Sequence, residues 1–274
     1  MSESGWPADR RITVRDLQAA TDRGERWAML TSYDTLTAGV FERAGIRAIL
    51  VGDTSGQLVL GYPDTVPVTM DELTPMVQAV VRGTRTALVV ADLPFGSYQS
   101  GPAEALRNAV RHLKTGGAQA VKLEGGRPVL PQVRALTEAG IPVMGHLGLT
   151  PQSVHALGGM RRVQGRGAAG DRLVEDALAL EAAGAFAVVL ESVPAELGRR
   201  VSAELRVPTV GIGAGPHCDA QVMVWQDLAG LTTGRLPRFV KQYADLAGIL
   251  SDAVSQYTAE VAGGSYPDEA HSYA

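Results

Sequence analysis

The sequence of 274 residues has a single cysteine, Cys218, so no disulfide can form within the chain. It has no run approaching the ~20 apolar residues that a membrane-spanning helix needs. Residues 1–11, MSESGWPADRR, contain no apolar stretch of the kind found in signal peptides. The net charge is −4 at pH 7, and the basic residues form no stripe that would suit nucleic acid or an anionic membrane. We therefore expect a cytoplasmic protein that binds neither nucleic acid nor membrane.

The composition is that of a soluble globular protein, because 45% of the residues are hydrophobic and 20% are charged. Such a chain can bury a sizeable core, and α/β barrels often fill this length as one domain. We predict a single domain over residues 1–274, with flexible ends at about 1–10 and about 264–274.

A unit recurs along the chain in which a helical stretch ends at glycine and a short apolar run follows. It is visible in residues 42–53, 114–125, 137–148 and 180–192. Glycine just past a helix fits the left-handed position that penalises a Cβ atom, and runs that are apolar on both faces are typical of parallel strands. The pattern predicts eight strands, at Trp27–Tyr33, Ala48–Asp53, Thr86–Asp92, Ala118–Glu124, Pro142–His146, Ala185–Glu191, Pro208–Ile212 and Val222–Asp227.

Eight alternating units without a domain break favour an α/β fold of the (β/α)8, or TIM, barrel type. An open doubly wound sheet is the alternative. Helix starts are also visible, since Thr69 and Glu72 have the spacing of a capping box. The eighth strand has the weakest signal, because only a short glycine-rich stretch precedes it.

Acidic side chains stand at the ends of four predicted strands. They are Asp53, Asp92, Glu124 and Glu191, and His146 ends a fifth strand. Taken singly, each acid could serve only a turn or a helix cap, and His146 could be a packed core residue. In a parallel barrel, however, these strand ends share one rim, where active sites form. The four acids together favour a site, because gathering carboxylates is unfavourable without a cation.

Lys122 and Glu124 are two residues apart in one predicted strand, so their side chains lie on the same face. They could form a simple ion pair, or both could point into the mouth of the barrel. The available ligands are carboxylates, with no thiolate cluster and no His-x-His spacing, which favours Mg²⁺ over zinc.

The glycine-rich segment 210–221 lacks the third glycine of a dinucleotide-binding fingerprint. We interpret it as a tight turn at the rim of a pocket. Cys218, within this segment, has no neighbour that marks it as a nucleophile and is expected to be a small packed residue.

A series of segments then identifies a family. They are MLTSYD (29–34), VGDT (51–54), GYPDTVPVTMDE (61–72), ADLPFGSY (91–98), VKLEGG (121–126), GHLGLTPQSV (145–154), VQGRG (163–167), VLESVP (189–194) and VGIGAG (210–215). With these motifs in this order, the sequence resembles the ketopantoate hydroxymethyltransferase (3-methyl-2-oxobutanoate hydroxymethyltransferase) family from about Arg11 to Gly264. The resemblance implies a (β/α)8 barrel of the phosphoenolpyruvate/pyruvate type.

The resemblance also implies a bound Mg²⁺, ligated by Asp53 and Asp92 and held with the help of Glu124. It further implies that a 2-oxo acid substrate is bound by Asp53, Thr54, Asp92 and Lys122.

The implied reaction adds a one-carbon unit from 5,10-methylenetetrahydrofolate to C3 of 3-methyl-2-oxobutanoate through a Mg-stabilised enolate. Glu191 would be the proton acceptor, and the product, 2-dehydropantoate, leads to pantothenate. The small-molecule partners would thus be a 2-oxo acid and a folate. The family also implies a cytoplasmic homo-oligomer, often a decamer.

Three positions depart from the family pattern: Thr54 stands where serine is usual, an extra arginine occurs near 161–162, and Ala220 replaces a usual glycine. They leave open a paralogue acting on a related 2-oxo acid. A Mg-dependent carbon–carbon lyase on the same barrel is another alternative, but its catalytic cysteine would lie in a Lys-Lys-Cys-Gly-His-type loop, whereas Cys218 lies in GPHCDAQ. A non-catalytic binding barrel would be expected to lose some strand-end acids, which are present.

Overall fold

The computed structural model describes residues 5–159 and 163–274, and its parallel strands close into a barrel in which each strand pairs with the next and the last pairs with the first. The strands are β1 (Trp27–Thr31), β2 (Ala48–Val51), β3 (Leu88–Asp92), β4 (Ala120–Glu124), β5 (Val143–Gly148), β6 (Ala187–Glu191), β7 (Thr209–Ile212) and β8 (Ala220–Met223). Closure is shown by the register of β1 with β8, which sets Trp27 opposite Ala220. The (β/α)8 prediction is confirmed, and the open sheet is excluded.

Helices alternate with most of the strands. They are α1 (Val14–Asp22), α2 (Thr35–Arg43), α3 (Ser55–Leu58), α4 (Met70–Gly83), α5 (Pro102–Arg111), α6 (Leu130–Glu138), α7 (Val154–Leu157), α8 (Ala168–Ala182), α9 (Ala195–Glu204), α10 (Trp225–Leu228) and α11 (Leu246–Gly263). A π-helical turn spans His112–Gly116, and 3₁₀ turns span Arg127–Val129, Pro151–Ser153 and Glu269–His271. The predicted capping box is present, since the Glu72 amide donates to the Thr69 hydroxyl and the Thr69 amide donates to the Glu72 carboxylate.

Several predicted strand ends were wrong by a few residues. β2 ends at Val51, so Asp53 lies in the turn beyond it, and β5 continues to Gly148, so His146 lies within it. The eighth strand begins and ends earlier than predicted, and Asp227 belongs to α10. Its start is fixed beside β7 by Asp219, whose carboxylate accepts hydrogen bonds from the amide and the hydroxyl of Thr209, both at 2.8 Å. This tertiary contact has no signature in the local sequence.

The barrel interior is filled by alternate residues of the strands, including Met29, Leu50 and Met144, all buried. The N-terminal segment joins this cluster at the end where the strands begin. Trp6 and Ile12 are buried in it, and the backbone amide of Ile12 donates to Thr86 O, just before β3, at 2.7 Å. The barrel is therefore closed by apolar side chains at that end.

Residues Trp225–Ala274 form a second compact unit, with the barrel unit ending at Val224. Within the second unit, backbone hydrogen bonds join Tyr243 to Leu228 and Leu246 to Ala229. That the whole chain is a single domain stays a prediction, as does the flexibility of both ends, although Trp6 is buried. In the described ranges 5–159 and 163–274, no helix combines the length and the apolar character needed to span a membrane.

Candidate active site

Charged side chains converge at the end of the barrel where the strands finish. Asp92, Glu124 and Glu191 are the last residues of β3, β4 and β6. The ladder sets Lys122 opposite Asp92 and His146 opposite Glu124. Because side chains alternate along a strand, Lys122 and Glu124 share the inward face with Ala120. The two residues that looked out of place in a buried strand therefore reach the inside of the barrel.

This end of the barrel contains a cavity of about 420 Å³, including its part open to solvent. Its charged and polar wall consists of Asp53, Thr54, Asp92, Lys122, Glu124, His146 and Glu191, with Thr31. Its apolar wall consists of Leu50, Pro151, Val189, Ile212, Val222, Met223 and Val224. All six residues of the predicted site line this one cavity.

The closest ion pair in the cavity joins Lys122 Nζ to Asp92 Oδ1 at 2.8 Å, with both side chains buried. Glu124 Oε1 is farther from the ammonium, at 4.0 Å, so Lys122 is not simply the partner of Glu124. Burial lowers the pKa of Lys122, whereas the carboxylates of Asp92, Glu124 and Asp53 raise it. The carboxylates outweigh the burial, so the pKa of Lys122 lies above its ordinary value. Lys122 is thus a fixed positive charge.

His146 connects two of the predicted acids. Its Nδ1 lies 3.3 Å from Glu124 Oε1, and its Nε2 lies 3.3 Å from Glu191 Oε2. Burial and nearby Lys122 lower the pKa of His146, but hydrogen bonds to Glu124 and Glu191 outweigh them and raise it to about 9. The ring therefore lies between two carboxylates that favour its charged form. His146 is a residue of the site rather than a packed core histidine.

Asp53 and Asp92 are the two buried acids whose negative charge is least offset by neighbouring groups. Burial raises the pKa of Asp53, and the neighbouring carboxylates of Asp92 and Glu124 raise it further. Burial also raises the pKa of Asp92, which Lys122 only partly offsets. Two buried oxygen donors that resist ionisation are the arrangement that a divalent cation stabilises. Their chemistry fits a hard cation such as Mg²⁺.

Glu124 is engaged differently. Its Oε2 accepts a hydrogen bond from the backbone amide of Gln152 at 3.0 Å, and its Oε1 faces His146. Within residues 5–159 and 163–274, no three His, Cys, Asp or Glu side chains are grouped as metal ligands. Mg²⁺ is commonly held by one or two carboxylates, with water and substrate completing the shell. Direct ligation by Asp53 and Asp92 therefore fits the site, and the role of Glu124 stays a prediction.

Gly148, at the end of β5, sets the position of Glu191. It pairs with Glu191 in the ladder, and the amide of Leu149 donates to Glu191 O at 2.8 Å. Gly148 has φ +94°, and a Cβ atom there would lie 2.2 Å from Glu191 O. The close approach of the two strand ends thus requires glycine.

We expect Gly148→Ala to destabilise the fold by about 3 kcal/mol, because it adds a clash with backbone to an unfavourable φ. The matched control is Gly140→Ala, where φ is +81° but nothing lies within 4 Å of the added Cβ; we expect about 1 kcal/mol there. Urea denaturation of both variants measures the difference. Equal losses of stability in the two variants would show that the close approach to Glu191 O does not require glycine at position 148.

Two residues of the site have no charge pattern that would reveal them in the sequence. Gln152 and Tyr98 are buried and do not line the cavity. Gln152 hydrogen-bonds Asp53, and Tyr98 hydrogen-bonds the backbone of Glu124. Their segments match the family motifs, but the motifs alone assign them no role. Cys218 is buried, as predicted, and burial raises the pKa of its thiol. The extra arginine near 161–162 lies outside the described residues.

Comparison with known proteins settles the family. The sequence profile of the family described as ketopantoate hydroxymethyltransferase matches residues 11–269. The chain belongs to the ketopantoate hydroxymethyltransferase family. Members of this family named 3-methyl-2-oxobutanoate hydroxymethyltransferase include one from Frankia alni, 65% identical over 99% of this chain and 89% of the relative. Another, from Thermobifida fusca, is 60% identical over 98% of this chain and 96% of the relative. The predicted membership is confirmed, and the chain is an enzyme of the transferase class.

Solved structures with a similar fold are much more distant in sequence. Phosphonopyruvate hydrolase in complex with oxalate and Mg²⁺ has a TM-score of 0.61 at 16% identity, over 96% of this chain and 92% of that one. 2,3-Dimethylmalate lyase, a PEP mutase/isocitrate lyase superfamily member, has a TM-score of 0.62 at 17% identity, over 95% and 92%. These likenesses concern the fold alone, and they confirm the predicted type of barrel for this ketopantoate hydroxymethyltransferase family member.

Proposed function

We propose that this protein is a 3-methyl-2-oxobutanoate hydroxymethyltransferase. It adds a one-carbon unit from 5,10-methylenetetrahydrofolate to C3 of 3-methyl-2-oxobutanoate, with water supplying the hydroxyl oxygen and tetrahydrofolate leaving. The product is 2-dehydropantoate, a precursor in pantothenate biosynthesis. The observation that carries the proposal is the convergence of Asp53, Asp92, Lys122 and Glu191 on one cavity in a chain of this family.

The cavity has separate regions for the two ends of such a substrate. Lys122 offers a buried positive charge for the carboxylate, or for the negative charge that develops during the reaction. The apolar wall, with Leu50, Val189 and Val222, suits a branched alkyl group. Thr54 lines the cavity next to Asp53 and supplies a hydroxyl for a substrate oxygen.

Asp53 and Asp92 would hold the Mg²⁺, with Glu124 supporting it. When bound, the ion supplies Lewis-acid stabilisation of negative charge on the keto oxygen, which makes the C3 proton removable. Glu191 accepts that proton as general base. Its carboxylate is held by His146, whose ring is in turn held by Glu124, so the base has a fixed orientation. The same proposal includes the folate donor, a homo-oligomeric assembly, which is a decamer in the family, and a cytoplasmic location. Family membership supports all three.

The direct test is formation of 2-dehydropantoate from 3-methyl-2-oxobutanoate and 5,10-methylenetetrahydrofolate. We expect product with Mg²⁺, a loss of at least about 100-fold after treatment with EDTA, and recovery when Mg²⁺ is restored. A panel of branched 2-oxo acids in the same assay addresses selectivity. Activity confined to a longer or more polar acceptor would assign the protein as a paralogue, and tight metabolite binding without product would indicate a binding module.

The alternative of a carbon–carbon lyase with a catalytic cysteine is disfavoured by Cys218. The thiol is buried, its pKa is raised by that burial, and it is not one of the residues that line the cavity. A reactive thiolate requires the opposite environment.

A further inference from the structure

Gln152 lies directly behind Asp53. Its side chain is buried and does not line the cavity. The amide nitrogen Nε2 donates to Asp53 Oδ2 at 2.8 Å and to the backbone oxygen of Leu93 at 2.9 Å. The amide oxygen Oε1 accepts a hydrogen bond from the Tyr98 hydroxyl at 2.6 Å. Both amide protons and the amide oxygen of this buried group are therefore used.

These partners permit only one orientation of the amide. If the group were turned over, its oxygen would face Asp53 Oδ2 and Leu93 O, which are both acceptors. Tyr98 favours the observed orientation, because its hydroxyl donates to Oε1 at 2.6 Å, a shorter contact than the 3.2 Å to its other acceptor, the backbone oxygen of Glu124. Tyr98 is itself fully buried, and its hydroxyl accepts a hydrogen bond from the backbone amide of Glu124 at 3.2 Å.

The same glutamine also reaches the second acid. Its backbone amide donates to Glu124 Oε2 at 3.0 Å, while its side chain donates to Asp53. Gln152, which lies shortly after the end of β5, thus holds two carboxylates: that of Asp53, which follows β2, and that of Glu124, which ends β4. The hydrogen bond from Gln152 to Asp53 Oδ2 restricts rotation of a carboxylate that lines the cavity.

We propose that Gln152, oriented by Tyr98, is a positioning residue that fixes the Asp53 carboxylate for a divalent cation. The inference rests on the proposed function, since it takes Asp53 as a metal ligand. Side chains that hydrogen-bond metal ligands typically change metal affinity about 10–100-fold when they are replaced. A residue that served only the fold would change stability and leave the affinity of the folded protein unaltered.

The test uses Mn²⁺ as a spectroscopic probe, titrated into the metal-free full chain and followed by electron paramagnetic resonance. We expect Gln152→Met, which keeps the length of the side chain but removes the amide, to weaken Mn²⁺ binding about 10–100-fold. The matched control is Gln132→Met. Gln132 is also buried, at 6% exposure against 3% for Gln152, and it donates to the backbone oxygen of Tyr98 rather than to an acid. We expect the control to lose stability with its Mn²⁺ affinity within about twofold of the unsubstituted protein.

Tyr98→Phe provides a milder variant, because it removes one hydroxyl and leaves the ring in place. We expect it to weaken Mn²⁺ binding in the same direction by about 3–10-fold, a smaller effect than loss of the amide. If Gln152→Met does not fold, this variant decides the question.

The outcomes are distinguishable. Failure of the unsubstituted protein to bind Mn²⁺ would overturn both the metal site of the proposed function and this inference. Tight binding by the unsubstituted protein with equal affinity in Gln152→Met, or in Tyr98→Phe if the former is unfolded, would overturn the inference alone. Equal weakening in Gln132→Met would also overturn it, because the effect would then reflect general disturbance of the core.

Discussion

Replacement of Asp92 by asparagine is expected to lower kcat/KM about 1,000-fold or more, which corresponds to about 4 kcal/mol of transition-state stabilisation. Asp92 is the closest counter-charge to Lys122, at 2.8 Å, and a proposed ligand of the Mg²⁺. The amide keeps the shape of the side chain but supplies neither the charge nor a second anionic oxygen for the cation. Steady-state rates at several Mg²⁺ concentrations measure the effect, and excess Mg²⁺ should restore little of the activity.

The same substitution leaves the buried Lys122 without its main partner, so the fold should lose about 3 kcal/mol as well. A double variant, Asp92→Asn with Lys122→Met, separates the two effects. Removing both charges should recover most of the stability, because a buried ion pair contributes little beyond its apolar replacement, while activity stays lost. Asp71→Asn, at an exposed ion pair with Arg111, is the surface control. Near-normal turnover in the Asp92 variant would remove this residue from the proposed metal site.

Replacement of Glu191 by glutamine should stop exchange of the C3 hydrogen of 3-methyl-2-oxobutanoate with D₂O while substrate binding persists. A general base typically contributes about 10²–10⁴-fold, and an amide cannot accept the proton. Exchange is followed by NMR in the presence of Mg²⁺ and in the absence of the folate, so that proton removal is observed apart from one-carbon transfer. Substrate affinity, measured by calorimetry, should change less than about threefold, because Lys122 and the apolar wall remain.

A control for this variant is Glu175→Gln, which lies on α8 in an exposed ion pair with Arg127 and should exchange at the unsubstituted rate. If Glu191→Gln exchanged the hydrogen as fast as the unsubstituted protein, the base would have to be another group.

The barrel and the gathering of acids could be predicted from the sequence because both follow from local patterns. Apolar runs after helix-ending glycines mark parallel strands. Because the strands of such a barrel all end at the same rim, Asp92, Glu124 and Glu191 come together even though they are far apart in the chain. The site did not require exact strand ends, since Asp53 reaches the cavity from a turn beyond β2.

The supporting residues could not be predicted in the same way. Gln152 is 99 residues from Asp53 in the sequence, and their hydrogen bond depends on how two loops meet after the barrel closes. Likewise, nothing in the segment MGHLG indicates that His146 lies between two carboxylates. Neutral side chains that satisfy a buried acid carry no periodicity or charge pattern, so their partners emerge only from tertiary structure.

The apolar closure formed by Trp6 and Ile12 where the strands begin has a kinetic consequence. Within residues 5–159 and 163–274, this closure lies at the end of the barrel where the strands begin, so we expect reactants to enter the charged cavity at the end where the strands finish. If two compounds of unequal size react there, the small keto acid must settle against the inner wall before the bulky donor covers it. We therefore expect an ordered sequence of association, in which the spent donor leaves ahead of the newly made hydroxy acid.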